Sequence, residues 1–413
     1  MRQAAPEPVL FVSHSSELRG AEKSLHLLLR HLNRDRIEPI VAMPGKGPLF
    51  KRVSDLGLRV YDVPMYWWIP PEGCHSAALR DLRQLLDRAR LLLDLIRRRR
   101  CRLVHTNSAV VCEGAVAAAL AGVPHVWHIR EMLDRPDSSL DPLLGAPATV
   151  GLISHMSEKV IAVSRAAARQ FSGLPNVEVI YNGVDLVRNR PARLPGRAHA
   201  IRLAFAGNLT YRKGVDLFVD ACLQLDRDDL EFYLAGEPSE PDLARRVQQQ
   251  VRRSPRANRF HFLGYRDDIA NVLEACDLYV LSSRNAPFPR TVIEGMHAGC
   301  AVVATDCGGA TEAIEACQGG RVVDVGADAL AAGISSLLED PRALRTCGER
   351  ARANVERKFS AQAYADSVSG LLSAVLKSPR PPRSLDDVLS LIGRLPPPPP
   401  ARLRLVDRLF HRV

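Results

Sequence analysis

The chain has 413 residues, 46% hydrophobic and 25% charged, a composition typical of a globular protein that is long enough for two domains. It contains no run of about 20 apolar residues, and its start has too short an apolar stretch for a signal peptide, so we expect a cytoplasmic protein. Lys and Arg number 56 against 46 Asp and Glu, which favours phosphate-bearing ligands or the inner face of an anionic membrane, and the 5% aromatic content argues against nucleic acid.

The first half of the chain alternates short apolar runs with amphipathic stretches. The runs at 8–13, 37–42, 102–106, 124–129, 159–163 and 177–181 read as strands, and the stretches at 20–33 and 79–96 have helical spacing. The nine cysteines are scattered, with no CxxC pair and no Cys/His cluster at zinc spacing, so no disulfide framework and no metal site is expected.

The same alternation restarts after residue 200, with IRLAFAG, LEFYLAG, RFHFLG, DLYVLS, AVVAT and GRVVDV as strands. Two such series predict an α/β protein with two Rossmann-like domains. We place the N-terminal domain at 1–185, a Pro- and Arg-rich linker at 186–200 and the C-terminal domain at 201–358. A helix at 360–376 is expected to pack back on the N-terminal domain, and the Pro/Arg-rich residues 377–413 are expected to be a disordered tail.

Two loops in the second half have the features of a phosphate site. The strand at 201–206 ends in Gly207 and a helix follows near Gly214, which places Lys213 where ligands bind in open α/β sheets. Taken alone, this pattern is more often that of a βα turn with a solvated lysine. In the second segment, a strand at 278–282 leads through a loop to a helix starting near Arg290, whose positive dipole end suits a diphosphate without a metal.

These segments resemble the donor-site signature of the retaining glycosyltransferases of family 4 (group 1), which have the GT-B fold with two Rossmann-like domains facing a central cleft. The resemblance extends over residues 8–376. Its pieces are RGAEKSL at 19–25, HVWHIRE at 125–131, VIYNGVD at 179–185, GNLTYRKG at 207–214 and FPRTVIEGMHAGCAVVAT at 288–305.

The resemblance implies transfer of a sugar from a nucleotide diphosphate donor (a UDP- or GDP-sugar) to a glycan or lipid-linked acceptor, with retention of anomeric configuration. It implies a cell-envelope polysaccharide enzyme that needs no cofactor. The catalytic positions carried over are His128, Lys213 and Glu294. The donor-binding positions are Gly20, Gly207, Asn208, Arg212, Lys213, Pro289, Arg290, Thr291, Val292 and Glu294.

The chain departs from the family pattern at two positions that bear on activity. Ala286 stands where the family has the first Glu of a pair, and Asn208 stands where it has an arginine. The first change affects recognition of the sugar, and the second removes a charge near the leaving diphosphate, which Arg212 or Arg290 could replace. A catalytically inactive nucleotide-sugar-binding or scaffold protein is therefore the alternative hypothesis.

Two other enzyme classes and one surface feature complete the predictions. A nucleotide-sugar epimerase should lack the combination of Lys213 with 288–305, and a dehydrogenase should have a strand followed by GxGxxG, which is absent. The aromatic stretch 64–71 and the basic run 97–100 raise the hypothesis of peripheral contact with a membrane that carries a lipid-linked acceptor.

Overall fold

A computed structural model describes residues 5–135, 138–187 and 190–377, and these form two compact units. Unit 1 contains the chain up to Gly183 and again from Ala361, whereas unit 2 is the continuous segment Val184–Ser360. Within the described ranges, no helix is both long and apolar enough to cross a membrane.

Unit 1 is built on one parallel sheet. Its strands are β1 (Glu7–Ser13), β2 (Ile37–Met43), β3 (Arg59–Asp62), β4 (Leu103–Asn107), β5 (His125–Ile129), β6 (Lys159–Ala162) and β7 (Val177–Val179). They are ordered β3-β2-β1-β4-β5-β6-β7, with every neighbouring pair parallel. Its helices are α1 (Gly20–His31), α2 (Pro48–Asp55), α3 (His75–Leu82), α4 (Leu85–Arg99), α5 (Glu113–Ala121), α6 (Ala146–His155), α7 (Arg165–Ala168) and, from the chain's end, α15 (Ala361–Lys377).

The sheet of unit 1 is covered on both faces. Along β1, Leu10 and Val12 belong to one apolar cluster, while Val9 and Phe11 belong to another, because successive side chains of a strand point to opposite faces. Helix α15 lies on the second face against α1. Both faces being buried explains why the strands appear in the sequence as short continuous apolar runs.

Unit 2 repeats this architecture. Its strands are β8 (Ile201–Ala206), β9 (Leu230–Ala235), β10 (Phe260–Gly264), β11 (Leu278–Leu281), β12 (Ala301–Thr305) and β13 (Gly320–Val323), in the parallel order β10-β9-β8-β11-β12-β13. Its helices are α8 (Val215–Gln224), α9 (Pro241–Arg253), α10 (Ile269–Glu274), α11 (Arg290–Ala298), α12 (Ala310–Cys317), α13 (Ala327–Leu338) and α14 (Pro341–Lys358). The prediction of two Rossmann-like sheets is confirmed.

Three segments differ in detail from the sequence analysis. Strand β3 was not predicted, since it is a four-residue edge strand with exposed charged ends. The amphipathic stretch 79–96 is divided between α3 and α4. The segment 186–200 belongs to unit 2, where Tyr233 Oη donates to the Pro195 carbonyl (2.6 Å) and Arg197 pairs with Glu231 (2.8 Å). Of the predicted tail, the residues after Lys377 lie outside the described part of the chain.

Candidate functional site in unit 2, with its counterpart in unit 1

Lys213 lies in the loop that joins β8 to α8, at the carboxyl end of the sheet of unit 2. The methylenes of Lys213 pass over Gly207, where an added Cβ would lie 3.6 Å from Cδ of Lys213. Among the described residues, no carboxylate or hydrogen-bond acceptor contacts the ammonium. Burial, with a smaller contribution from the charge of Arg212, lowers the pKa of Lys213 to about 8. The group is therefore mostly a cation at pH 7, and it has no counter-ion among the described residues of unit 2.

Gly214 allows this loop to approach strand β11. It adopts a left-handed conformation (φ 65°), and a Cβ added there would lie 1.9 Å from the Ser282 carbonyl oxygen. The Ser282 hydroxyl donates a 2.7 Å hydrogen bond to the Gly214 carbonyl. Only glycine combines this backbone conformation with so close an approach.

A second loop, 282–289, carries the position at which the chain departs from the family pattern. Ala286 is buried, its amide donates to the Cys307 carbonyl (2.9 Å), and its carbonyl accepts from the Gly309 amide (3.1 Å). Arg212 donates to the neighbouring Asn285 carbonyl at 3.2 Å. The loop is thus fixed by its backbone, and the methyl of Ala286 supplies no polar group.

Arg284 joins the two loops, a role that sequence reasoning missed. It forms a bidentate pair with Asp216 in the first turn of α8 (2.9 and 2.7 Å). It also donates to the Tyr211 carbonyl (2.6 Å), and its guanidinium stacks on the Tyr211 ring at 3.7 Å from the centroid. The partners are 68 and 73 residues away, so the only sequence signal was an arginine close to a suspected binding loop.

The start of α11 holds the remaining predicted donor residues of unit 2. Pro289 is the N-cap, without a side-chain cap bond, and its carbonyl accepts from the Val292 amide at 3.1 Å. Arg290 and Glu294 form an ion pair at 3.1 Å, with both side chains less than a fifth exposed. This pair uses Oε1 of Glu294, so Oε2 remains without a partner among the described residues. Thr291 accepts from the buried Tyr279 hydroxyl at 2.6 Å.

Two other predicted positions have few contacts. Asn208 follows Gly207 and is partly buried, with no side-chain hydrogen bond to the described residues. Gly20 begins α1 in unit 1, where a Cβ would meet nothing within 4 Å. Space within the folded unit therefore does not require glycine at position 20. No cluster of three or more His, Cys, Asp or Glu side chains suited to a metal ion occurs in the described ranges.

His128 lies at the end of β5 in unit 1, fully buried beside His105 of β4. Nδ1 of His128 is 3.3 Å from Nε2 of His105, with the rings edge to face. Burial lowers the pKa of both histidines, that of His105 to about 3, and the charge of Arg130 lowers them further. Both rings are therefore neutral at pH 7. The outer nitrogens, Nε2 of His128 and Nδ1 of His105, are buried without a hydrogen-bond partner in the described part of the chain.

Arg130 ties together the loops around this pair. It donates to Asn107 (2.8 Å), Asn182 (2.7 Å) and the Tyr364 hydroxyl of α15 (3.0 Å). All three acceptors are neutral, so the positive charge of Arg130 is not compensated by them and acts on the two nearby histidines. The three hydrogen bonds also hold the loops at the carboxyl ends of the strands together. Sequence reasoning did not identify Arg130, although it directly follows the strand that carries His128.

Ser108 adds backbone strain to the same edge of the sheet. Its φ of 124° is unusual for a residue other than glycine. The carboxylate of Glu131 holds it there, since this group accepts hydrogen bonds from the Ser108 hydroxyl, the Ala109 amide (3.0 Å) and the Arg130 amide (2.8 Å). Strain of this kind is typical of functional sites and costs roughly 1–3 kcal/mol.

Two family models match the chain. One described as Glycosyltransferase Family 4 covers residues 18–188, and one described as Glycosyl transferases group 1 covers residues 200–340. Together they span roughly three quarters of the sequence.

Similar curated proteins include a mannosyltransferase and a galactosyltransferase. The lipopolysaccharide core biosynthesis mannosyltransferase LpcC of Rhizobium leguminosarum is 29% identical over 243 residues, which cover 55% of this chain and 67% of the relative. The UDP-Gal:alpha-D-GlcNAc-diphosphoundecaprenol alpha-1,3-galactosyltransferase of Escherichia coli is 25% identical over 334 residues, which cover 72% and 81%.

Among solved structures, HepE of Anabaena in complex with UDP aligns with a TM-score of 0.74 at 24% identity, over 89% of this chain and all of that one. The sucrose-phosphate synthase of Thermosynechococcus elongatus aligns with a TM-score of 0.72 at 18% identity, over 90% and 99%, a likeness of fold. The chain belongs to the group 1, family 4 glycosyltransferases and has their GT-B fold of two Rossmann-like sheets.

Proposed function

We propose that the protein transfers a sugar from a UDP- or GDP-sugar to a glycan or lipid-linked acceptor, with retention of anomeric configuration. The observation that carries the proposal is the ammonium of Lys213, which is half-buried over Gly207, without a counter-ion among the described residues, at the carboxyl end of a Rossmann-like sheet. Ligands of open α/β sheets bind at this edge. A buried cation without a partner is costly unless an anion joins it, and a diphosphate supplies that anion.

In the proposed chemistry, the negative charge of the leaving diphosphate is stabilised by Lys213, Arg212 and the positive end of α11, with no metal ion. As the bond between the anomeric carbon and the phosphate oxygen breaks, the acceptor oxygen forms its bond on the same face and passes its proton to the leaving phosphate. One preorganised donor to such a leaving group contributes roughly 3–4 kcal/mol to the transition state. Glu294 binds the ribose hydroxyls through Oε2, and His128 contacts the transferred sugar.

The acceptor is proposed to be presented at an anionic membrane surface. Tyr66, Trp67 and Leu91 are large apolar residues that unit 1 leaves exposed. Tyr66 lies over Arg88 of α4, which is buried and paired with Glu113, and the same helix ends in the exposed basic run 97–100. A unit that carries exposed aromatic and apolar groups together with an exposed basic run suits a lipid interface with negative headgroups.

The test of the transfer reaction is to offer UDP- and GDP-sugars and to record both the thermal shift and the release of nucleoside diphosphate with candidate acceptors. Lys213→Met should lose donor-dependent stabilisation, and Lys213→Arg should keep part of it. Lys51→Met is the matched control, because Lys51 makes only a surface pair with Asp55 and should behave as the wild type. Donor binding without release of nucleoside diphosphate under all conditions would favour a non-catalytic nucleotide-sugar-binding protein. The specific argument for that alternative is Ala286, whose methyl stands in the proposed sugar-binding loop in place of a carboxylate.

The membrane proposal has a separate test. The wild type should co-sediment with vesicles that contain anionic lipid at low salt and should be released as salt rises. Neutralising Arg97–Arg100 to glutamine should abolish this binding while the donor-induced thermal shift stays unchanged. Equal sedimentation with purely zwitterionic vesicles contradicts the electrostatic part of the proposal.

A further inference from the structure

Arg352 of α14 caps the C-terminal end of α11, the helix whose N-terminal end is assigned to the leaving diphosphate. The last four carbonyls of an α-helix have no partner inside the helix. In α11, those of Gly295 and Met296 accept from the amides that follow the helix. The other two accept from one guanidinium, since Nε of Arg352 donates to the His297 carbonyl at 2.7 Å and Nη2 donates to the Ala298 carbonyl. Arg352 therefore completes the end of α11.

The guanidinium of Arg352 is itself held in place. Its Nη2 lies 3.0 Å from Oε2 of Glu274, the last residue of α10, and the two side chains are only 22% and 11% exposed. A guanidinium presents its donors in a rigid planar fork, which a lysine does not reproduce. Because Glu274 offsets the charge of Arg352, the effect of Arg352 on α11 depends chiefly on the direction of its hydrogen bonds.

The packing around this cap leaves α11 little room to move. A Cβ at Gly348 of α14 would lie 2.0 Å from the Gly299 carbonyl oxygen, and a Cβ at Gly299 would lie 2.9 Å from Nη2 of Arg352. On the side of the sheet, a Cβ at Gly295 would lie 3.1 Å from Cβ of Tyr279. The nine residues of α11 span only about 14 Å, so whatever fixes one end also directs the other.

Helix α14 caps the neighbouring helix α12 in the same way. Three of its side chains donate to the carbonyls of residues 316–318, where α12 ends: Lys358 (2.6 Å), Asn354 (2.9 Å) and Arg350 (3.2 Å). Helices α11 and α12 follow β11 and β12, and β11 is the neighbour of β8, which leads into the Lys213 loop. One helix thus holds the C-terminal ends of two helices that both begin at the carboxyl edge of the sheet.

We propose that α14 is a brace for the donor site and that Arg352 is its positioning residue, which directs the N-terminal amides of α11 at the diphosphate from the opposite end of the helix. The diphosphate as ligand rests on the proposed function, whereas the fixed direction of α11 is a property of unit 2. A short helix is stabilised mainly by its packing, so the loss of this cap frees the last turn and lets α11 shift. A displacement of about 1 Å caused by a distant substitution costs up to about a hundredfold at a binding or reacting group.

The test compares Arg352→Met with Arg227→Met, a matched control. Arg227 also pairs with a carboxylate, that of Asp229 (2.7 Å), and it donates to the Leu338 carbonyl at the end of α13 (2.8 Å). Helix α13 follows the edge strand β13, three strands away from β8. Both variants should lower the thermal midpoint of unit 2 by a few degrees.

Only Arg352→Met should weaken the binding of UDP or GDP in calorimetric titrations, by roughly tenfold, the effect of one charge-assisted hydrogen bond. At saturation, only this variant should shift the ³¹P resonances of the bound nucleotide away from their wild-type positions. Arg352→Lys keeps the charge but lacks the fork, and its affinity should stay below that of the wild type. An equal loss of affinity in Arg352→Met and Arg227→Met overturns the proposal, and so does full wild-type affinity in Arg352→Lys.

Hydrogen exchange followed by mass spectrometry tests the brace without a ligand. Peptides from α11 should exchange faster in Arg352→Met than in Arg227→Met, and equal exchange overturns the proposal. If Arg352→Met does not fold, Arg352→Lys serves in both measurements. A wild-type protein that binds neither UDP nor GDP contradicts the proposed function, whereas the exchange rates still decide whether Arg352 holds α11.

Discussion

Gly214 offers a quantitative test of how the Lys213 loop is held, because the chain contains a matched glycine. Gly214 and Gly264 have nearly the same left-handed φ, 65° and 66°, but a Cβ at Gly264 meets nothing within 4 Å. Alanine at either position loses roughly 1–2 kcal/mol to the left-handed conformation. At Gly214 it also strikes the Ser282 carbonyl, well inside ordinary van der Waals contact. Such overpacking costs roughly 1–3 kcal/mol more.

We therefore expect Gly214→Ala to lower the thermal midpoint of unit 2 by roughly 2–12 °C more than Gly264→Ala does, given the size of the unit. Far-UV circular dichroism follows both units. The three tryptophans, Trp67, Trp68 and Trp127, all lie in unit 1, so their fluorescence follows unit 1 separately. Equal destabilisation by the two substitutions would refute the argument, since the contact with Ser282 would then contribute nothing.

Three further predictions concern charged groups. The affinity for a nucleoside diphosphate should fall as pH rises from 7 to 9, because Lys213 has a lowered pKa of about 8 and loses its charge in that window; Lys213→Arg should remove this dependence in titrations by calorimetry. Arg284→Lys should weaken donor binding severalfold with little change in the thermal midpoint, since lysine cannot reproduce the bidentate pair with Asp216. An unchanged donor affinity would contradict a positioning role for Arg284. Glu113→Gln should lower the free energy of unfolding, measured with urea, by roughly 3–5 kcal/mol because it leaves the buried Arg88 unpaired. The double variant Glu113→Leu, Arg88→Met should recover much of that loss.

The two sheets could be predicted from the sequence because all of their strands except β3 are local apolar runs. The loop from Gly207 to Gly214 was visible for the same reason, since strand, glycine, lysine and helix follow one another directly. The contacts that fix the candidate site were not visible. Arg284 meets Asp216 only because β8 and β11 are neighbours in the sheet, and no local pattern encodes that pairing.

For Ala286, too, the sequence predicted only part of what the structure shows. The sequence indicated that a carboxylate is missing, but not that the residue is buried and bonded through its backbone to Cys307 and Gly309. Likewise, no local pattern in the sequence distinguishes His105, which lies inside the apolar run 102–106. Its relation to His128 depends on the register between β4 and β5, which a single sequence does not specify.

The chain connectivity has a consequence for synthesis. Domains generally fold in the order in which the ribosome releases them. Unit 2 is one continuous segment whose ends meet, since Val184 pairs with Ser360. Unit 1, by contrast, needs α15, which supplies Tyr364, Val368 and Leu372 to its core. The unit that begins first is therefore completed last. Until α15 emerges, the part of the apolar face that this helix shares with α1 stays uncovered, while the inserted unit already has all of its strands.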